Sequence, residues 1–330
     1  MSSPARRRRI AAAYDDAEFN GYGRDADLVS RSLLWVADKP RIERMITHGP
    51  LTQRVVNRFV AGTKLEDAIS AIEELNPRGI GGILDLLGEG VVDPAGASAA
   101  ADSYMTSLKR MEQSAIDSTV SVKLTQLGLA FDKEQCVRHL TQLATEARSM
   151  GKTLEIDMEQ SEYVEDTIDV YRRLRSEFED VRLAIQAYLR RTLSDLERIR
   201  DLRPKIRLVK GAYAEPEDVA FQKKREIDAQ YRFLTEWLFQ NGTDPAIASH
   251  DEKLLSHARE TAERTRAGDR GFEIQMLYGV RRPLQADLAQ DGLRVRVYVP
   301  FGSAWYPYLM RRIAERPANL IFFLRSVVSG

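Results

Sequence analysis

Two adjacent arginines, Arg311 and Arg312, follow an aromatic run in Tyr298-Val-Pro-Phe-Gly-Ser-Ala-Trp-Tyr-Pro-Tyr308-Leu-Met-Arg311-Arg312. A helix over about 303–316 places Tyr308, Arg311, Arg312 and Glu315 at i, i+3, i+4 and i+7, on one face. Twin guanidiniums beside an aromatic ring form a fork for a small planar anion such as a carboxylate. An arginine pair on a helix is commonly just a solvated basic face. Here Trp305, Tyr306, Tyr308, Leu309 and Met310 crowd the same turns. The spacing therefore predicts arginines that emerge beside apolar surface, the setting of a pocket.

The elements that must position such a pocket alternate along the chain. Short aliphatic or β-branched runs stand at Gly79 to Leu86, Thr119 to Leu124, Thr153 to Met158, Arg182 to Ala187, Lys205 to Val209, Ala246 to Ser249, Phe272 to Leu277 and Leu293 to Val299. Between them lie charged, helix-period segments such as Lys133 to Arg148, Tyr163 to Phe178, Phe221 to Asn241 and Glu252 to Arg266. Eight strands alternating with helices predict an α/β fold, a closed (β/α)8 TIM-type barrel. The barrel is expected over residues 78–330. Residues 1–77, with Ser30 to Val36 and Leu65 to Leu75 as the clearest helices, form a basic arm and a helical extension.

Composition narrows the function classes. The 330 residues carry 49 Lys plus Arg against 49 Asp plus Glu. With no net charge, no global field favours nucleic acid, and none is expected as a partner. The single cysteine, Cys136, excludes an internal disulfide framework, fits a reducing compartment and reads as a small core residue on a helix. No apolar run approaches the roughly 18 residues that span a bilayer. The tail Leu320 to Leu324 suits packing against the barrel. Arg6 to Arg9 precede Ile10-Ala-Ala-Ala13, but Tyr14-Asp-Asp16 ends that stretch short of the about 7 residues of an export core. The reading is cytoplasmic, with peripheral contact of the basic arm at the inner face of the membrane as its variant. Gly21-Tyr-Gly23-Arg-Asp-Ala26 matches the dinucleotide fingerprint only as a string, because Asp15 to Asn20 cannot be the buried strand that must precede it.

In a (β/α)8 barrel the chemistry sits where strands end. Here the ends are polar: Asp85 and Glu89, Lys123, Asp157, Gln186, Arg207 and Lys210, Ser249 and His250, and Tyr298. A lone strand-end Asp, Lys or His is often only a satisfied structural residue. Six or seven strands ending this way are hard to explain by stability, because buried charge is costly without partners.

These residues resemble a known family. Ser121-Val-Lys-Leu-Thr125, Glu155-Ile-Asp-Met-Glu159, Ile185-Gln-Ala-Tyr-Leu189, Arg207-Leu-Val-Lys-Gly-Ala-Tyr213 and the tyrosine and twin-arginine helix, in that order, look like the proline dehydrogenases. The resemblance runs from about Leu86 to Pro317. It implies a barrel that holds FAD without a Rossmann fold and oxidises L-proline to Δ1-pyrroline-5-carboxylate, passing electrons to a quinone or another acceptor. It also implies a functional link to a pyrroline-5-carboxylate dehydrogenase.

By the same resemblance, Arg311 and Arg312 clamp the substrate carboxylate with help from Lys123, and Glu89 closes the site as a gate. Tyr298, Tyr308 and Leu277 wall the proline ring. Arg207 stands at the flavin edge, and Asp157 is an active-site carboxylate behind the lysine. Met158, Gln186, Lys210, Gly211, Ala212, Ser249 and His250 fall on cofactor positions, and Lys224 matches a diphosphate or adenine contact. No His, Cys and carboxylate group has metal spacing, so no metal is expected.

Three readings compete on the residues themselves. They are a flavin-dependent proline dehydrogenase, with hydroxyproline as its runner-up substrate; a Schiff-base aldolase using Lys123 or Lys210; and a non-catalytic amino-acid sensor.

Overall fold

The computed structural model describes residues 56–88, 91–265 and 271–314. The chain divides into two compact units, residues 53–309 and residues 1–52 together with 310–330. The arm at Arg6 to Arg9, the segments Gly21 to Ala26 and Ser30 to Val36, Glu89, Glu315 and the tail Leu320 to Leu324 lie outside the described residues.

The first unit is a closed eight-stranded barrel in sequence order, every neighbouring pair parallel. Helix α1 (Leu65–Leu75) precedes β1 (Ile80–Leu86), and α2 (Pro94–Gln113) leads to β2 (Ser118–Val122). Then come α3 (Lys133–Ser149), β3 (Leu154–Ile156), α4 (Val164–Arg175), β4 (Val181–Gln186), α5 (Thr192–Arg198) and β5 (Lys205–Val209). The series closes with α6 (Lys224–Asn241), β6 (Ala246–Ala248), α7 (Glu252–Thr265), β7 (Glu273–Leu277), α8 (Arg282–Gln290), β8 (Arg294–Phe301) and α9 (Trp305–Ala314). All eight expected strands are present within a few residues of their expected bounds.

Period-2 alternation splits the strands into two faces. Leu154, Ile156, Leu183, Ile185, Ile206, Leu208, Ile274, Met276, Val295 and Val297 are buried outward, in one apolar layer with helix residues such as Leu140, Ile168, Tyr171, Leu234 and Leu255. Each such side chain is worth roughly 1.5–3 kcal/mol of burial, and this layer holds the helices on. The helix starts follow from their caps: Asp93 accepts from the Gly96 amide at 2.8 Å and Asp132 from the Gln135 amide at 2.9 Å. At β1 two glycines let neighbours close in from both sides. A Cβ on Gly81 would lie 2.5 Å from Arg296 Nη1 inside the barrel, and one on Gly82 would lie 2.5 Å from Ile72 Cδ1 of α1.

Three helices not singled out in the sequence, α2, α5 and α8, complete the ring. The buried stripe of α2 mixes small residues (Ala97, Ala101, Ser107) with large ones (Tyr104, Leu108, Met111), which blurs its period. α5 has seven residues and α8 nine, too few for a period to stand out.

Candidate active site

The inward face of the barrel is ionic rather than aliphatic. Arg182 of β4 reaches Glu155 of β3 at 3.2 Å and, across the barrel, Glu273 of β7 at 3.0 Å. Gln275 Nε2 donates to both Glu155 oxygens at 3.2 Å and to Glu273 at 2.7 Å, and Arg296 pairs with Glu273 at 3.2 Å. Glu155 also takes the Thr119 hydroxyl at 3.0 Å. Such buried charges are tolerable only because each has several partners. The result is a rigid floor.

On that floor, at the C-terminal ends of the strands, stands a second layer. Arg207 donates from Nη1 to Asp157 Oδ1 at 2.6 Å, from Nε to Glu155 at 3.0 Å and from Nη2 to Ser121 Oγ at 3.2 Å, with a further Nη2 bond to Glu155. Four of its five N–H groups are thus engaged, leaving one on Nη1. Its guanidinium carbon lies 5.3 Å from the centre of the Tyr298 ring. Asp157 collects four donors, since it also accepts from Ser121 Oγ at 2.7 Å, from Tyr298 OH at 2.5 Å and from Lys123 Nζ at 3.0 Å.

Lys123 has one further strong partner, Asp85 at 2.5 Å, and a longer contact of 3.5 Å to Tyr298 OH. Its three N–H directions are therefore all directed at acceptors of its own chain. Asp85 is the more dedicated counter-ion, because Asp157 is shared among four donors.

Electrostatics follow from this crowding. Burial alone would lower the Lys123 pKa, but Asp85, Tyr298 and Asp157 together hold it well above the ordinary lysine range. Burial likewise pulls Asp157 upward, and Lys123 and Arg207 overcome it, keeping this carboxylate well below the usual range. Burial, with Asp157 and Asp85 beside it, pushes the Tyr298 phenol well above its normal value. Burial also raises Asp85. The proton of the Asp85–Lys123 pair is placed on the lysine, which three acceptors surround. A lysine held charged this firmly is a poor Schiff-base nucleophile.

A second group lies along the ends of β3 to β6. Gln186 Nε2 donates to the Glu159 carbonyl at 2.9 Å. Met158 and Ser249 are buried, and Ser249 Oγ accepts from the Asp251 amide at 3.1 Å. Lys210 pairs with Asp228 at 2.8 Å and with Asp251 at 3.4 Å; Lys224 bonds Asp228 and lies 3.4 Å from Asp251. Gly211 has φ +127°, and a Cβ there would fall 2.2 Å from the Tyr188 ring, so only glycine fits. His250 Nε2 accepts from the Leu277 amide at 2.9 Å, which in a neutral ring leaves the proton on Nδ1. Half-buried ammoniums, an amide and a glycine turn on one arc suit a phosphorylated ligand with a polar ring, and FAD fits this donor set.

Lys123, Asp157, Arg207 and Tyr298 thus come together in one cluster. Leu277 pairs with Tyr298 in the β7–β8 register. Tyr308 is buried on α9, and positions 308, 311 and 312 fall within that single helix. Arg311 and Arg312 belong to the second compact unit. Sequence reasoning missed Glu155, Ser121, Gln275 and Asp228 as partners. It passed over Asp85 as a counter-ion, although its strand-end position was the available signal. Cys136 is fully buried on α3, and burial pushes its thiol up to about 12, as a core residue requires. No group of His, Cys, Asp and Glu among the described residues is arranged to hold a metal ion, and no described helix is long and apolar enough to cross a membrane.

Comparison with known proteins adds a second, independent line. Residues 68–325 match the family model described as proline dehydrogenase. Proline dehydrogenase 1 of Bacillus subtilis subsp. natto is 38% identical over 277 residues, covering 84% of this chain and 92% of the relative. The proline dehydrogenase of Deinococcus radiodurans is 38% identical over 308 residues, covering 92% and 99% respectively. Among solved structures, proline utilization A from Bdellovibrio bacteriovorus, inactivated by N-propargylglycine, superposes with a TM-score of 0.74 at 25% identity over 79% of this chain. The chain spans 32% of that longer protein.

Proposed function

The chain belongs to the proline dehydrogenase family and oxidises L-proline to Δ1-pyrroline-5-carboxylate, and from that premise we propose which of its residues do so and with which cofactor. The observation that carries the assignment is the convergence of Lys123, Asp157, Arg207 and Tyr298 on one buried cluster at the strand ends. The family is flavin-dependent in general, and the flavin here is FAD, held by Met158, Gln186, Lys210, Gly211, Ala212, Lys224, Ser249 and His250. When bound, it accepts hydride from the ring carbon next to the substrate nitrogen.

The residues supply position and charge. Arg311 and Arg312 fork the substrate carboxylate. Tyr298, Tyr308 and Leu277 wall the ring, so that one carbon faces the acceptor. Arg207 sets positive charge at the cofactor edge, which favours an electron-rich ring. Asp157 keeps Arg207, Tyr298 and Lys123 in register. Lys123, already surrounded by acceptors, aids the carboxylate through its charge more than through a spare N–H. Glu89 serves as the gate that closes the site.

Electrons leave to a quinone or another acceptor, with the basic arm in peripheral contact with the inner face of the membrane in an otherwise cytoplasmic protein. A pyrroline-5-carboxylate dehydrogenase consumes the product, a link supported by matches to proteins named bifunctional protein PutA. Trans-4-hydroxyproline is the second substrate, disfavoured by the bulk of Tyr298.

The test is twofold. Protein unfolded after purification should release FAD, identified by mass, and Lys210→Ala and Lys224→Ala should weaken its retention. Arg311→Met and Arg312→Met should each raise KM for proline with flavin still bound, by the factor that about 1.5–3 kcal/mol of charge-assisted bonding implies. Unchanged KM in both would remove the clamp.

A further inference from the structure

We propose that Glu215 is a positioning residue, a latch that ties the loop carrying Lys210, Gly211 and Ala212 to the end of β3 and so keeps the cofactor arc closed. The inference rests on the cofactor reading above. Between the end of β5 at Val209 and the start of α6 at Lys224 lie fourteen residues without helix or strand. Loops of this length in a compact domain are uncommon and usually functional. Such a loop must be tied down at its exposed middle, where Ala212, Ala214, Pro216, Glu217 and Asp218 are all exposed.

On one side the loop is tied by backbone to the strand β4 end. The Tyr188 amide donates to the Lys210 carbonyl at 2.8 Å, the Phe221 amide to the Tyr188 carbonyl at 2.8 Å and the Arg190 amide to the Val219 carbonyl at 3.0 Å. Tyr188 also donates its hydroxyl to the Tyr213 carbonyl at 3.2 Å while its ring packs under Gly211.

On the other side stands Glu215. One carboxylate oxygen accepts from the Ser161 amide at 2.7 Å and the other from Ser161 Oγ at 2.6 Å. Ser161 opens a short 3-10 turn that continues into α4, so its amide has no helical partner, and Glu215 supplies one. Four residues before it is Asp157 of the catalytic cluster, and three before it is Met158; the intervening Glu159 bonds Gln186 through its carbonyl. One two-pronged contact therefore joins the segment carrying Met158 to the loop carrying Lys210–Ala212. These are two walls of the same arc. Glu215 itself is not aimed at a ligand: both oxygens are engaged by Ser161, and its effect on the cofactor passes through the loop.

The test uses the full chain, with FAD as probe. Glu215→Gln keeps the size but can no longer accept on both atoms; Ser161→Ala removes only the hydroxyl prong and is the milder variant if the first folds poorly. We expect the dissociation constant for FAD to rise about tenfold in Glu215→Gln and about threefold in Ser161→Ala. The double variant should be no weaker than Glu215→Gln alone, because the two act through one contact. Amide hydrogen exchange over residues 211–219 should quicken in the same order. Faster loop exchange with unchanged FAD affinity would overturn the proposal, as would unchanged exchange. If Lys210→Ala and Lys224→Ala also leave FAD affinity unchanged, the cofactor reading fails and this inference with it. Weakened binding in those two with normal binding in Glu215→Gln rejects the latch alone.

Discussion

The Asp157 carboxylate lies 2.6 Å from the Arg207 guanidinium, joining the end of β3 to the middle of β5 inside the barrel. Glu155, two residues earlier on β3, holds the same guanidinium from below through its Nε at 3.0 Å. Arg207 is therefore fixed by two carboxylates, one within β3 and one directly after it, and it has little freedom to swing. The place proposed for Arg207 beside a cofactor edge needs this restraint.

Asp157→Asn removes the hub. Lys123 and Arg207 keep Asp85 and Glu155, so the protein should fold, but less stably by about 3 kcal/mol in urea unfolding at pH 7. The wild-type dependence on pH has a fixed sign. Asp157 and Glu155 are both held below the usual carboxylate range, as Lys123 and Arg207 outweigh burial at the first and Arg207 and Arg182 outweigh it at the second. Their contribution is complete above the unfolded pKa values of about 4 and is lost as pH falls through the lower folded ones. The urea midpoint should be level with respect to these groups from pH 8 to 5 and fall below about pH 4, and Asp157→Asn should flatten the fall. A variant as stable as wild type at pH 7 would contradict the hub.

Cys136 should be inert. With its thiol buried and pushed up to about 12, native protein at pH 8 should take up no iodoacetamide over a time in which urea-unfolded protein is fully alkylated. Alkylation of the native enzyme with loss of activity would place this thiol in the chemistry.

Tyr298 should act as the selectivity filter against hydroxyproline. Its ring is backed by Arg207 and its hydroxyl is held by Asp157 at 2.5 Å, so it cannot move aside for a ring substituent. Proline should be preferred over trans-4-hydroxyproline by about tenfold or more in kcat/KM, the worth of one small group in a shaped pocket. Tyr298→Ser should narrow that gap. Equal wild-type efficiency on the two substrates would remove Tyr298 from this role.

Arg207 should tune the cofactor. Replacing it with Met should lower kcat and make the bound flavin harder to reduce, read as a more negative midpoint potential, because the nearby positive charge is gone. Glu155 and Asp157 would then be buried without their shared cation, so a stability loss should accompany the change. An unchanged potential would count against its place at the flavin edge.

The barrel was legible because eight aliphatic or β-branched runs recur with longer charged segments between them, several of these plainly of helix period, and the strand ends could be found once the strands were. Lys123, Asp157, Arg207 and Tyr298 are adjacent in space because each faces the inside of one barrel, Lys123 and Asp157 directly after β2 and β3, Arg207 and Tyr298 within β5 and β8. The floor beneath them was not legible. In β3, β4 and β7, residues such as Glu155, Arg182, Glu273 and Gln275 alternate with aliphatic neighbours, a pattern that ordinarily marks a solvent face. Which polar residue meets which across the barrel depends on the stagger between strands, as when Arg182 crosses to Glu273. A single strand does not encode that. The packing of the Tyr188 ring against Gly211 was not legible either, because that contact exists only after β4 and β5 are paired.

Anaerobic titration with L-proline shows whether this substrate reduces the bound flavin. Purified protein loaded with FAD should lose the visible absorbance of its oxidised flavin as proline is added. The absorbance should return when a quinone is admitted. Arg311→Met should bleach only at much higher proline concentration. A flavin that binds but does not bleach with saturating proline, or a protein that holds no flavin after reconstitution, would contradict the account.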